Sequence, residues 1–139
     1  MNELEIQAQE RLSKNAFMNY CHIEMVSIQP DRATFRLEIR PENRNPFGNL
    51  HGGAFYTLAD NAAGAAAHTD GRFYVTQQTS YHFLRGQGEG TVYSKAMVRH
   101  RGRSTWLVYV DIVNEEDKLL GTAEFTFFSV AANGRNEKK

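Results

Sequence analysis

The sequence predicts an α+β fold in which an antiparallel sheet wraps around one long central helix. Three observations carry that prediction. Residues 51 to 68 form a single long, alanine-rich segment, and a helix that is apolar nearly all round is buried on most sides. Two strand-like runs precede this segment and four follow it. The separators among the last four are glycine-rich or polar, and each is short enough for a hairpin. One apolar helix and six strands satisfy one another when the sheet closes around the helix.

The elements follow in order. Leu4, Ala8 and Leu12 repeat every four residues among Glu3, Glu5, Glu10, Arg11 and Lys14, which predicts a short amphipathic helix over 3–14 that lies on another element. Strands are predicted at His22–Ile28 and Ala33–Ile39, joined by the turn Gln29-Pro30-Asp31-Arg32. In the second, Ala33, Phe35, Leu37 and Ile39 alternate with Thr34, Arg36 and Glu38, as in a strand with one wet face. Pro41–Asn49, rich in Pro, Asn and Gly, is a loop. The central helix over His51–His68 is bounded by Gly52-Gly53 and by Asp70-Gly71. Strands follow at Phe73–Leu84, Thr91–His100, Thr105–Asn114 and Leu119–Val130, and residues 131–139 form a polar tail that is expected to fray. The 139 residues fit a single domain, 1–139, with no linker or repeat.

Composition excludes several classes of function. Lys+Arg and Asp+Glu both number 16, so the chain lacks the basic excess of a nucleic-acid binder. The one cysteine, Cys21, makes no internal disulfide and suits a reducing, cytoplasmic setting as a small buried hydrophobe. The opening MNELEIQAQERLSKN is too charged for a signal peptide, and the uncharged stretch Leu50–Ala59 is far too short to cross a bilayer. Five histidines, at 22, 51, 68, 82 and 100, show no metal-ligand spacing, so no metal is expected. Gly86-Gln87-Gly88-Glu89-Gly90 follows no βαβ pattern and Gly102-Arg103-Ser104-Thr105-Trp106 lacks the second glycine of a nucleophile elbow. No cofactor is implied.

The chemistry concentrates in the central helix. From Ala54 to Ala67 its only polar residues are Thr57, Asp60 and Asn61. Gly53, Thr57, Asp60 and Gly64 are spaced by four, three and four, so they share one face, while residue 61 points about 100° away. A buried carboxylate is costly and calls for a purpose; the plainer reading is that Asp60 is partly exposed. His51-Gly52-Gly53 opens the helix and offers backbone N–H groups at the positive end of its dipole, suited to an oxygen gaining negative charge. Alone, Gly-Gly could equally be a flexible helix start. Together with Asp60 the loop outlines an acyl-transfer site. Arg99, His100, Arg101 and Arg103 crowd one hairpin, as a solvated turn or as a contact for phosphates; Arg85 is a second candidate.

Asn45…Gly48…Leu50-His51-Gly52-Gly53 followed by Leu58-Ala59-Asp60 resembles the signature of the hotdog-fold thioesterases of the phenylacetate-degradation (PaaI-like) type. Val75-Thr76-Gln77…His82-Phe83-Leu84-Arg85, Arg101-Gly102-Arg103 and Leu119-Leu120-Gly121-Thr122-Ala123 are similar to later parts of that family. The resemblance spans about residues 20–130 and implies an acyl-CoA thioesterase. It implies that Asp60 is the catalytic acid, activating water or attacking the thioester. Gly52 is then the N–H that polarises the carbonyl, Asn45 the neighbour of the water, and His51 the support of the loop. Thr76 takes the place of a residue that in some members reaches the nucleophilic side from the partner subunit. Gly53, Phe83, Arg85, Arg101 and Arg103 are the candidates for substrate and CoA contact. A homodimer with shared sites is implied, and a dimer of dimers is common. The polar Gln77, Gln78 and Ser80 depart from the family's pattern, as does His82. Phe47, Phe55, Tyr56, Tyr81 and Phe83 would line a pocket for a short-to-medium or aryl acyl group. Two alternatives are a hotdog dehydratase or hydratase of hydroxyacyl thioesters and a non-catalytic acyl-CoA-binding module.

Overall fold

The structure, a computed structural model, describes residues 1–130; the predicted polar tail at 131–139 lies outside them. The element order is α1 (Glu3–Ser13), α2 (Ala16–Tyr20), β1 (Ile23–Gln29), β2 (Arg32–Glu38), α3 (Gly52–Ala67), β3 (Phe73–Phe83), β4 (Thr91–Arg101), β5 (Thr105–Asn114) and β6 (Leu119–Val130). The predicted strands and central helix are all present, shifted by at most a residue or two at their ends. The five-residue α2, capped by the Asn15 side chain, has no apolar period to announce it and was not expected. α1 starts on a capping box between Asn2 and Glu5.

All six strands form one antiparallel sheet in the order β1-β2-β4-β5-β6-β3. Here one expectation is corrected. β3 and β4 are not a hairpin: β3 lies on the far edge beside β6, and Gly86–Gly90 is part of a crossover. A short separator permits a hairpin but does not compel one, because the strand that follows pairs where its apolar face finds the core.

α3 lies across β2, β4 and β5. Phe35, Leu37, Val92, Val108, Ile112 and Phe125 face it from the sheet, and all are fully buried. Ala59, Ala62, Ala63, Ala66 and Ala67 are equally buried on the helix, where their small side chains let the sheet close in. The face carrying Gly53, Thr57, Asp60 and Asn61 is only partly buried.

β3 runs beside that face. Its pairing with β6 slips between Thr76 and Gln78, so Gln77 is the extra residue of a bulge. The bulge changes the parity of the strand. Tyr74 and Thr76 point at α3 before it, and Thr79, Tyr81 and Phe83 do so after it. Without the bulge, one half of the strand would turn its polar face to the helix. β3 is also an edge strand of 11 residues with Phe73, Val75 and Phe83 exposed, a surface that soluble proteins rarely leave uncovered.

Candidate active site

The loop before α3 is held by its own polar groups. Asn45 Oδ1 accepts the backbone N–H of Phe47 at 2.9 Å and of Asn49 at 3.1 Å. Two donors on one atom identify it as the oxygen, so the amide nitrogen of Asn45 faces outward. The Leu50 N–H donates to the Gln87 carbonyl at 2.7 Å, which lets the crossover 86–90 brace the loop. His51 adopts φ −62°, ψ 140° and caps the helix, its Nδ1 accepting the Gly53 N–H at 2.8 Å. The proton of a neutral His51 therefore sits on Nε2.

This capping corrects the expectation of two available N–H groups. Gly53 donates to His51, and the N–H groups of Ala54 and Phe55 both go to the His51 carbonyl, at 2.9 and 3.1 Å. Among the described residues, only the Gly52 N–H of the first turn meets no acceptor. It opens on a depression of about 320 Å³ lined by Asn45, Asn49, Phe55, Phe83 and Arg85, among others. The Phe83 ring lies 3.4 Å from where a Cβ on Gly52 would stand. Phe83 packs on Tyr81 at 4.2 Å and edge-on to Phe55 at 6.2 Å. The Arg85 N–H is tied to the Leu120 carbonyl, and its guanidinium has no carboxylate partner among the described residues.

Asp60 lies in a second depression, of about 200 Å³, with Thr76, Tyr74, Asn61, Asn15 and Arg11 in its walls. Burial pushes the Asp60 carboxyl above the usual carboxylate range, against a long 3.4 Å bond donated by Thr76 Oγ1. A carboxylate raised this way is a better proton acceptor near neutral pH. Thr76, expected on the nucleophilic side from a partner subunit, here reaches Asp60 of its own chain. Asn61 is one step, about 100°, further round the helix than Asp60. It borders the same depression, accepting from Asn15 at 2.9 Å and donating to the Thr57 carbonyl at 2.8 Å. Gly64 is required beside it, since a Cβ there would collide with the Tyr74 hydroxyl. Tyr74, Asn15 and Arg11 were not legible as site residues, because β3 and the N-terminal helices meet α3 only in the folded chain.

The Gly52 N–H and Asp60 are eight residues apart on one straight helix, about 12 Å along its axis. A carbonyl and the group attacking it need contacts near 3 Å on each side. The site outlined from sequence therefore does not close within one chain. The donor and the carboxylate stand at two separate places on the chain.

The predicted CoA contacts divide. Arg101 is engaged within the chain: its guanidinium bonds the Ala67 carbonyl at 2.9 Å, pairs with Asp70 at 2.8 Å and Asp31 at 2.6 Å, and lies over Trp106. It closes the C-terminal end of α3 rather than facing a ligand, because the end carbonyls of a helix lack partners and attract a cation. Arg101→Ala should therefore lower stability by about 2–3 kcal/mol, measured by urea unfolding, with KM little changed. The exposed Arg103 lends its carbonyl to Arg72, and no carboxylate pairs with it among the described residues. Of the predicted acyl-lining aromatics, Phe55, Tyr81 and Phe83 come together. Tyr56 instead bonds Thr79 and packs on Phe125, and Phe47 is 89% exposed. Cys21 is buried, and burial pushes its thiol further up, away from an activated thiolate.

The profile of the thioesterase superfamily matches residues 47–120, which contain the Gly52 loop, α3 and β3–β5. A 1,4-dihydroxy-2-naphthoyl-CoA hydrolase of Listeria monocytogenes is 34% identical over 101 residues, 70% of this chain and 82% of the relative. The acyl-coenzyme A thioesterase PaaI of Escherichia coli is 30% identical over 97 residues, 69% of each chain. The solved E. coli PaaI structure superposes with a TM-score of 0.88 over 92% of this chain and 94% of that one, at 23% identity. The smu.793 protein of Streptococcus mutans, solved bound to acetyl CoA, superposes with a TM-score of 0.75 at 28% identity, covering 78% and 88%. The chain thus belongs to the thioesterase superfamily, has the hotdog fold in its PaaI-like form, and is a thioester hydrolase.

Proposed function

We propose that the chain hydrolyses short-to-medium or aryl acyl-CoA thioesters in sites shared by two subunits. The observation that carries this reading is the 12 Å gap, in round terms, between the one open N–H of α3 and its one carboxylate. A second copy laid against the β3 edge and the partly open face of α3 brings the Gly52 half-site of one subunit to the Asp60 half-site of the other. It also covers the exposed edge. Such pairs can pack further as a dimer of dimers.

In the shared site the Gly52 N–H holds the thioester oxygen as charge develops on it, with the outward amide of Asn45 beside the reacting centre. Asp60 takes a proton from water as its oxygen bonds to the acyl carbon, or attacks that carbon itself and forms an anhydride that water opens. In either route the C–S bond breaks, CoA leaves as the thiol, and the acyl group leaves as the acid. Isotopic oxygen from labelled water appearing in Asp60 after a single turnover marks the anhydride route. Phe55, Tyr81 and Phe83 offer the apolar contact for the acyl group, and Arg85 and Arg103 are the cations left to meet CoA phosphates.

The test is release of free thiol across a panel of acyl-CoA esters, with the active species sized by sedimentation. Turnover confined to a dimer or larger species is the expected result, and an active monomer refutes the shared site. Binding of the esters without thiol release refutes the assignment of hydrolysis to this site.

A further inference from the structure

A second depression adjoins the Asp60 half-site. It holds about 250 Å³ between α1 and the C-terminal end of α3, with Gln7, His68 and Thr69 in its walls. Arg11 and Ala65 line both depressions, so the two form one groove along α3 from Asp60 past Gly64 to His68, with α1 on its outer side. Arg11, exposed in the last turn of α1, has no carboxylate partner among the described residues.

Arg11 stands where the two depressions meet, beyond Asp60 along the groove. Burial keeps the Tyr74 phenol protonated, and both the Arg11 cation and the Asp60 anion act on it. His68 is held below the usual imidazole range by burial and then by Arg11. Asp60 itself responds to burial and Thr76, with no contribution from Arg11. The cation thus lies within reach of Tyr74 and His68. Five residues of helix separate Asp60 from Ala65, about 7.5 Å. Between them the walls are mostly polar: Asn15, Asn61, Tyr74 and Thr76, with Leu12 as the one large aliphatic side chain. Such walls offer little apolar surface, so a plain alkyl tail gains little by lying against them.

We propose that this groove receives the far end of the acyl group, and that Arg11 selects acyl thioesters whose acyl chain ends in a carboxylate. The proposal rests on Asp60 being the carboxylate that acts on the thioester. A six-carbon chain suits the span, since its terminal carboxyl carbon lies about 6 Å from the thioester carbon when extended. The guanidinium then meets the carboxylate through paired charge-assisted bonds. Arg11 is a specificity-determining residue: it contacts the distal group and leaves the reacting atoms to Asp60 and Gly52.

The test compares adipyl-CoA, hexanoyl-CoA and 6-aminohexanoyl-CoA, equal in chain length and different in terminal charge. The wild-type protein should favour adipyl over hexanoyl by about tenfold in kcat/KM, mainly through KM. That ratio should shrink as ionic strength rises, because Arg11 is exposed. R11Q should bring the ratio close to one, R11K should keep part of it, and R11E should shift preference toward the amino ester. Residue 11 is on an exposed helical surface, so these variants keep the fold, which circular dichroism checks. A wild-type ratio of one or less, or a ratio unchanged in R11Q, overturns the proposal. Failure of the wild-type protein to cleave any of the three esters, or any other acyl-CoA, instead overturns the reading of the site, so the two failures are distinguishable.

Discussion

Replacing Asp60 with asparagine is expected to lower kcat by about a hundred- to ten-thousand-fold while leaving the fold and ester binding in place. Asparagine keeps the size of the side chain and can still accept the Thr76 bond, but it neither takes a proton nor attacks a carbonyl. The pH dependence follows from the direction of the Asp60 shift. Because burial raises its pKa in the folded protein, the acid limb of kcat/KM should lie above the ordinary carboxylate value of about 4. The same shift sets a stability difference. A group whose folded pKa is raised contributes stability below its unfolded pKa, and that contribution is lost as pH rises through the folded value. Asp60→Asn should therefore match or exceed the wild-type protein in urea unfolding at pH 7, with the gap closing toward pH 3. Normal turnover by the folded variant would remove Asp60 from the mechanism. A lower stability at pH 7 would contradict the burial of its charge.

The second large effect isolates one backbone hydrogen. Gly52→Pro removes the N–H and little else, because proline is favoured at the first position of a helix, where its donor is an orphan. The preceding His51 already holds φ −62°, ψ 140°, the conformation a residue before proline prefers. The nearest side-chain atom to a Cβ at 52 is in the Phe83 ring at 3.4 Å, an ordinary contact. Loss of one donor to a developing oxyanion should reduce kcat about a hundred- to a thousand-fold. Refolding Gly52→Pro together with Asp60→Asn then tests whether the sites are shared. If each site joins two subunits, half of the dimers are mixed and each mixed dimer has one intact site, which restores roughly a quarter of wild-type activity. If each site lies within one chain, the mixture stays as inactive as its components. Asn61→Asp should not be neutral, since residue 61 shares the depression and a second carboxylate there would raise the proton affinity of Asp60 further.

The sequence by itself determined the elements and the chemistry they carry. The alanine run could be buried only as a helix, the alternation in β2 could be only a half-wet strand, and Asp60 within that helix demanded a use. His51-Gly52-Gly53 ahead of Asp60 marked both ends of the site, because helix-end donors and capping are properties of a few adjacent residues. Tertiary structure decided what depends on neighbours distant in sequence. It turned the short 86–90 segment into a crossover that braces the Gly52 loop, and it inserted the Gln77 bulge that aims Thr76 at Asp60 and Phe83 at Gly52. It also gave Arg101 to the end of α3 and set Arg11 over the groove that leads away from Asp60. The same local code that placed Gly52 and Asp60 on one helix put them about 12 Å apart. Only the folded chain shows the exposed edge of β3 and the partly open face of α3, where the proposed second copy would close the distance.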